Sequence, residues 1–120
     1  MSWDIFIQDL PPVSRVEDIP ADFQPRCIGE REAILATIRR VLPMAEQQDT
    51  DWLFAKGENI DLSLQLHMED AEQVRYIVLH VEGGSQSAPA VAALLRQLGL
   101  RALDTATGDL FDAATLEEGL

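Results

Sequence analysis

Between Ile60 and Met68 apolar and polar side chains alternate without a break: Ile60, Leu62, Leu64, Leu66 and Met68 fall on one side, Asp61, Ser63, Gln65 and His67 on the other. A period of two is the pleat of an extended chain, so the segment predicts a strand with one buried and one polar face. Residues 75–82 repeat the pattern, with Ile77, Leu79 and Val81 inward and Tyr76, Val78, His80 and Glu82 outward. A shorter run, 52–56, leads through the Gly57-Glu58-Asn59 turn into the first, and the three predict an antiparallel meander. Residues 3–8 make a further strand, with Trp3, Ile5 and Ile7 on one face, ended by Pro11-Pro12.

The period changes to helical over 30–42, where Ile34, Leu35, Ile38, Val41 and Leu42 share a face. Glu30 and Glu32 at the start and Arg39 and Arg40 at the end suit the helix dipole, and Pro43 stops the helix. A second helix is predicted from Ser87, as N-cap, with Pro89 in the first turn, Val91, Leu94, Leu95 and Leu98 as the apolar stripe, and Gly99 as terminator. Residues 100–104 and 110–111 read as a final hairpin around Thr107-Gly108. Residues 11–29 have no period and read as an irregular arm, 46–51 as an acidic loop, and 113–120 as a frayed tail.

The order β-α-β-β-β-α-β over one domain, 1–120, predicts an α+β two-layer sandwich: an antiparallel sheet with two helices on one face. That face bears Ile60, Leu62, Leu64, Leu66, Ile77, Leu79 and Val81. A chain of 120 residues with 47% hydrophobic positions is long enough for one such core.

Charge then narrows the partners. With 21 acidic against 9 basic residues the formal charge is -12, which repels nucleic acid and anionic membranes and attracts basic protein surfaces. No apolar run approaches the ~20 residues that span a bilayer, and the opening residues lack the basic and apolar regions of a secretory signal, so the expected location is the cytoplasm. The lone Cys27 has no partner for an intramolecular disulfide.

Two places carry candidate chemistry. The polar sheet face brings together Gln65, His67, Tyr76 and His80 as possible ligand-binding groups. If His67 lies opposite Tyr76, however, His80 is four positions further on, roughly 13 Å away at ~3.3 Å per residue, too far for one metal ion. The other place is the stretch Val81 to Ala90, VEGGSQSAPA, where Gly83, Gly84, Ser85 and Ser87 precede a helix as in an anion-binding turn. It lacks the Lys-Ser/Thr of a P-loop and the third glycine of a dinucleotide fingerprint, and Glu82 has the wrong sign, so a strand-to-helix corner accounts for it. No catalytic set, metal set or cofactor is predicted. For a protein partner the candidate anchors are Trp52, Tyr76 and Phe111, rimmed by acidic residues that include Asp104 and Asp109.

The opening MSWDIFIQDLP, the CIGER at 27–31, the segment His80 to Gly84, and ALDTATGDLFD at 102–112 resemble a family of small uncharacterised bacterial proteins. In size, acidity and mixed build the chain is also similar to bacterial immunity proteins, a resemblance that implies neutralisation of a toxin by covering it. The expected function is therefore a non-enzymatic acidic binding protein for a basic partner. The alternative is a small-ligand binder or enzyme using the face around His67, Tyr76 and His80.

Overall fold

The alternating segment forms a nine-residue strand that alternates between core and outer face, and it pairs on both sides within the sheet. In the computed structural model, which describes residues 2–120, the strands are β1 (Trp3–Gln8), β2 (Gly29–Glu30), β3 (Glu46–Asp49), β4 (Trp52–Gly57), β5 (Ile60–Met68), β6 (Gln73–Gly83), β7 (Arg101–Asp104) and β8 (Leu110–Phe111). The helices are α1 (Arg31–Val41), α2 (Ser87–Leu98) and α3 (Ala113–Glu118). The result is an α+β fold with one antiparallel sheet of eight strands in the order β3-β4-β5-β6-β1-β7-β8, with β2 paired to the far end of β6.

The predicted meander is β4-β5-β6, and its register sets His67 opposite Tyr76, the pairing considered from the sequence. Leu64 and Leu79 face each other and are both 0% exposed. They belong to one core with Ile5 and Ile7 of β1, Leu53 of β4, Ile34, Leu35 and Ile38 of α1, and Val91, Leu94 and Leu95 of α2. Burying each such leucine or isoleucine contributes about 1.5–3 kcal/mol, so the two amphipathic helices are held chiefly by what they cover. A register shift between His67 and Met68 lets Val74 and Ile77 both enter the core, which a strict alternation forbids.

The observed element order is longer than the one predicted from periodicity, and each difference has a local cause. β3, read as an acidic loop, has the sequence EQQD with all four residues exposed, so no hydrophobic period marks it as a strand. β2 is two residues long, and flanking bonds from the Ile28 amide to the Val74 carbonyl and from the Arg31 amide to the Glu72 carbonyl hold it in place. Ser87 is not the N-cap of α2; that position is Gln86, and the Ser87 hydroxyl turns back to the Gly83 carbonyl. Gly99 does end α2, at φ 67°, a left-handed conformation in which glycine carries no Cβ penalty.

The frayed tail is likewise corrected: residues Ala113–Glu118 are α3. Asp112 caps it, accepting the Thr115 amide at 2.8 Å and the Thr115 hydroxyl at 2.9 Å. Ala113 is buried, Leu116 packs against the core, and Arg96 of α2 donates to both carboxylate oxygens of Glu117.

The two ends of the sheet differ. At β8 the 11–29 arm adds a bridge, with Arg15 opposite Asp109, the Val16 amide on the Gly108 carbonyl and the Leu110 amide on the Ser14 carbonyl. At β3, among the described residues, β4 is the only segment in backbone hydrogen-bond register.

Two outcomes are expected. Leu64→Asp should unfold the protein, since an unpaired carboxylate in the core costs several kcal/mol, whereas Gln65→Asp on the opposite face should melt near the parent; circular dichroism melts of the two compare them directly. The Thr115 amide, and secondly its hydroxyl, hold the Asp112 carboxyl below the usual carboxylate range. A lowered folded-state pKa gives stability that is present above the unfolded pKa and lost as pH falls through the folded one. Asp112→Ala should thus cost about 1 kcal/mol at neutral pH and nothing in acid, read from exchange of the Thr115 amide against pH.

Candidate functional site

The sheet face opposite the core is built in rows that cross the strands. One row runs Glu46, Phe54, Ser63, His80, Asp4 from β3 to β1, each residue the register partner of the next. The next runs Asp49, Trp52, Gln65, Val78, Phe6, Leu103, Leu110 from β3 to β8. His67 and Tyr76 follow as the third. Cross-strand neighbours lie within contact, and aromatic side chains at these positions meet.

They do so here as two groups of rings. His67 stacks on Tyr76 with centroids 4.5 Å apart and planes 9° apart, and Tyr76 stacks on Phe6 at 5.6 Å. Trp52 and Phe54 form a tilted pair at 6.0 Å. All five rings are half-buried, so each shows a face or edge to solvent. The indole nitrogen of Trp52 is buried without an acceptor.

The polar groups of this face are only partly convergent. His80 Nδ1 lies 2.7 Å from Asp4 Oδ1, a contact that orients the ring. Ser63 is the register partner of His80, yet among the described residues no side-chain hydrogen bond joins them. The pair therefore supplies a base and its orienting carboxylate without an engaged nucleophile. His67 lies four positions from the partner of His80 and its ring is committed to Tyr76, so the two histidines do not share a site. Gln65 stands between Trp52 and Val78 in the second row. Among the described residues no group of three or more His, Cys, Asp or Glu side chains is placed to hold a metal.

Phe111 does not join Trp52 and Tyr76. Its register partner is Ala102, itself opposite Ile7, so it points to the core, where it is 8% exposed and stacks on Trp3 at 5.8 Å. Asp104 accepts the Trp3 indole N–H at 3.0 Å and Asp109 binds Arg15 at 2.6 Å. These three line a hollow of about 460 Å³ with Leu116 and Thr115 of α3, away from the aromatic face. Its carboxylates are already engaged, which leaves them little to offer a ligand.

The glycine loop is a corner tied to the β4–β5 turn. Gly84 has φ +94°, and a Cβ there would stand 2.5 Å from the Asn59 carbonyl oxygen. The Gln86 amide donates to that same oxygen at 2.8 Å, and the Ser87 amide to the Gly84 carbonyl at 3.1 Å. Ser87, 1% exposed, donates its hydroxyl to the Gly83 carbonyl at 2.5 Å and accepts the Asp61 amide at 3.3 Å. The Gln86 and Ser87 amides and the Ser87 hydroxyl are thus used within the chain, while Ser85 is exposed.

Sequence reasoning missed four contributors, among them Phe54, whose β4 position was predicted but whose place beside Trp52 was not drawn. Asp4 and Phe6 stand on the polar side of the β1 alternation, so their face was visible, but their neighbours depend on β1 pairing with β6 across a separation of seventy or more residues. The acidic edge of β3 had no periodic signal. Among the described residues no helix is long and apolar enough to cross a membrane. No protein-family model, curated protein or solved structure matches the chain.

If Gly84 is required by its backbone, Gly84→Ala should cost about 1–3 kcal/mol from strain, with the clash adding to it, while Gly83→Ala, whose added Cβ meets nothing within 4 Å, should stay within about 1 kcal/mol. Urea denaturation of both variants measures the difference.

Proposed function

We propose that this chain is a non-enzymatic binding protein that presents the aromatic face of a two-layer sandwich, its two longer helices behind the sheet, to a basic protein surface. The observation that carries the reading is the band of five half-buried rings, Phe54, Trp52, His67, Tyr76 and Phe6, across one sheet face. Aromatic side chains give large contact area at low cost in lost rotamer freedom, and they supply most of the energy at many protein interfaces.

Charge supports a basic partner. Glu46 and Asp49 at one end of the band, and Asp61 and Glu82 at its top, have no cationic partner within 4 Å among the described residues. With the net charge of -12, they would accelerate association by long-range attraction while the rings supply affinity. Trp52 and Tyr76 are the anchors, with Phe6 and Phe54 beside them; Phe111 serves the core. An immunity-type role in the cytoplasm, covering a basic toxin, is the biological form this reading favours, in keeping with the resemblance to small bacterial proteins of that kind.

The 2.7 Å contact between His80 and Asp4 favours the second reading, a small-ligand or enzymatic use of the same face with Ser63 adjacent. His80→Ala separates the two: loss of a small-molecule turnover by purified protein would replace the binding reading.

For the binding reading, a partner captured from the source cells should be basic, and its association rate should fall steeply as salt rises from about 50 to about 500 mM and the Debye length shrinks below ~10 Å. Trp52→Ala and Tyr76→Ala should each weaken the complex by about 2 kcal/mol, roughly thirtyfold, at unchanged fold. An acidic partner, or a rate indifferent to salt, would refute the electrostatic argument.

A further inference from the structure

We propose that the partner engages the open edge of β3, which accepts an extended segment carrying Lys or Arg at alternate positions as an additional strand. This rests on the binding reading above for the sign of the partner's charge and names the form in which that charge arrives.

The edge is available on one side only. The arm covers the β8 end through the Arg15–Asp109 bridge, while at β3 only β4 is in backbone register among the described residues. An unpaired edge offers a row of amides and carbonyls to any extended chain that can lie beside it.

The chemistry beside that row selects the guest. The register shift between Gln47 and Asp49 sets Glu46 opposite Phe54 and Asp49 opposite Trp52, so two carboxylates three residues apart stand on the same aromatic face. Without the bulge they would point to opposite faces. Each belongs to a small hollow: one of about 220 Å³ lined by Gln48, Asp49, Trp52 and Phe54, the other of about 120 Å³ lined by Met44, Glu46, Phe54 and Lys56. Each hollow pairs one carboxylate with an aromatic wall. Such a hollow suits a Lys or Arg, whose methylene stem lies along a ring while its cation reaches the carboxylate.

The spacing of the hollows matches an added strand. Trp52 and Phe54 are two residues apart on β4, a separation of roughly 6.6 Å, which is also the distance between alternate side chains of an extended guest. Lys56 shares the smaller hollow, and Asp49 accepts the Thr50 amide with one carboxylate oxygen, which leaves its second oxygen to a guest cation. A second copy of this chain is a poor guest, because pairing β3 with β3 sets Glu46 and Asp49 against their own kind; like charges directly opposite destabilise a pair of strands.

The test uses the full chain and a ten-residue peptide of alternating arginine and threonine, titrated by calorimetry, with amide shifts followed at residues 46–54. Two further peptides of the same charge carry N-methyl groups on one or the other set of alternate backbone nitrogens. Strand addition requires that one methylated peptide bind about tenfold or more weaker than the parent and the other within about threefold, because only one set of amides faces β3. Glu46→Gln with Asp49→Asn should weaken the parent peptide by about tenfold or more at unchanged melting temperature.

Absence of binding, equal binding of all three peptides, indifference to the double variant, or self-association of the chain through β3 would each overturn the proposal. Such a result beside a basic, salt-sensitive captured partner leaves the aromatic-face reading intact. An acidic captured partner removes that reading itself.

Discussion

The pairing of β5 with β6 is the constraint from which the remaining structure follows. Leu62, Leu64 and Leu66 face Val81, Leu79 and Ile77, and this double row belongs to one core with Ile34, Leu35 and Ile38 of α1 and Val91, Leu94 and Leu95 of α2. Since the side-chain period of a strand is two, slipping either strand by one residue would move its leucines to water and bring Ser63, Gln65 or His80 into the core. The same arithmetic fixes the outer face: once the leucines are inside, Ser63, His67, Tyr76 and His80 lie outside, and the register sets His67 opposite Tyr76 and Ser63 opposite His80.

Addition of β1 to the open side of β6 turns that face from a polar surface into a candidate binding surface. It contributes Phe6 to the ring stack and Asp4 to His80 in one step, because two residues of the same parity on one strand arrive together. On the other side β4 brings Trp52 and Phe54 by the same rule. The face is thus assembled from four strands whose inward residues are chosen by packing and whose outward residues are free to be aromatic, a division of labour that holds the outer rings on a rigid sheet.

The two sheet ends show how an antiparallel sheet manages its edges. One is closed by the arm, whose largely exposed residues are held by the Arg15 contacts with Glu17, Asp109 and the Thr107 carbonyl. The other is short and acidic. Charge of one sign along an edge is one of the ways in which sheets discourage pairing with a like-charged strand.

Much of this was legible in the sequence, and the parts that were not share a cause. Period-two and helical patterns placed β1, β4, β5, β6, α1 and α2 and the inward residues of each, because burial of one face leaves a local and repeating mark. The meander and the opposition of His67 to Tyr76 followed, since a short turn leaves neighbouring strands little choice of register. β3 escaped because an edge strand exposed on both faces has no period, and α3 because a six-residue helix gains its stability from the Asp112 cap and from contacts with α2. Ser87 was read as a cap because caps are local, whereas its hydroxyl answers to Gly83 and Asp61 across the β5–β6 pairing. Phe111 looked like an anchor until its pairing with Ala102 turned it inward. By itself the sequence determined which residues are apolar in step with each element, and hence what must be buried; which strands lie side by side, and so which outward residues meet, is decided by contacts between distant segments that only the folded chain brings together.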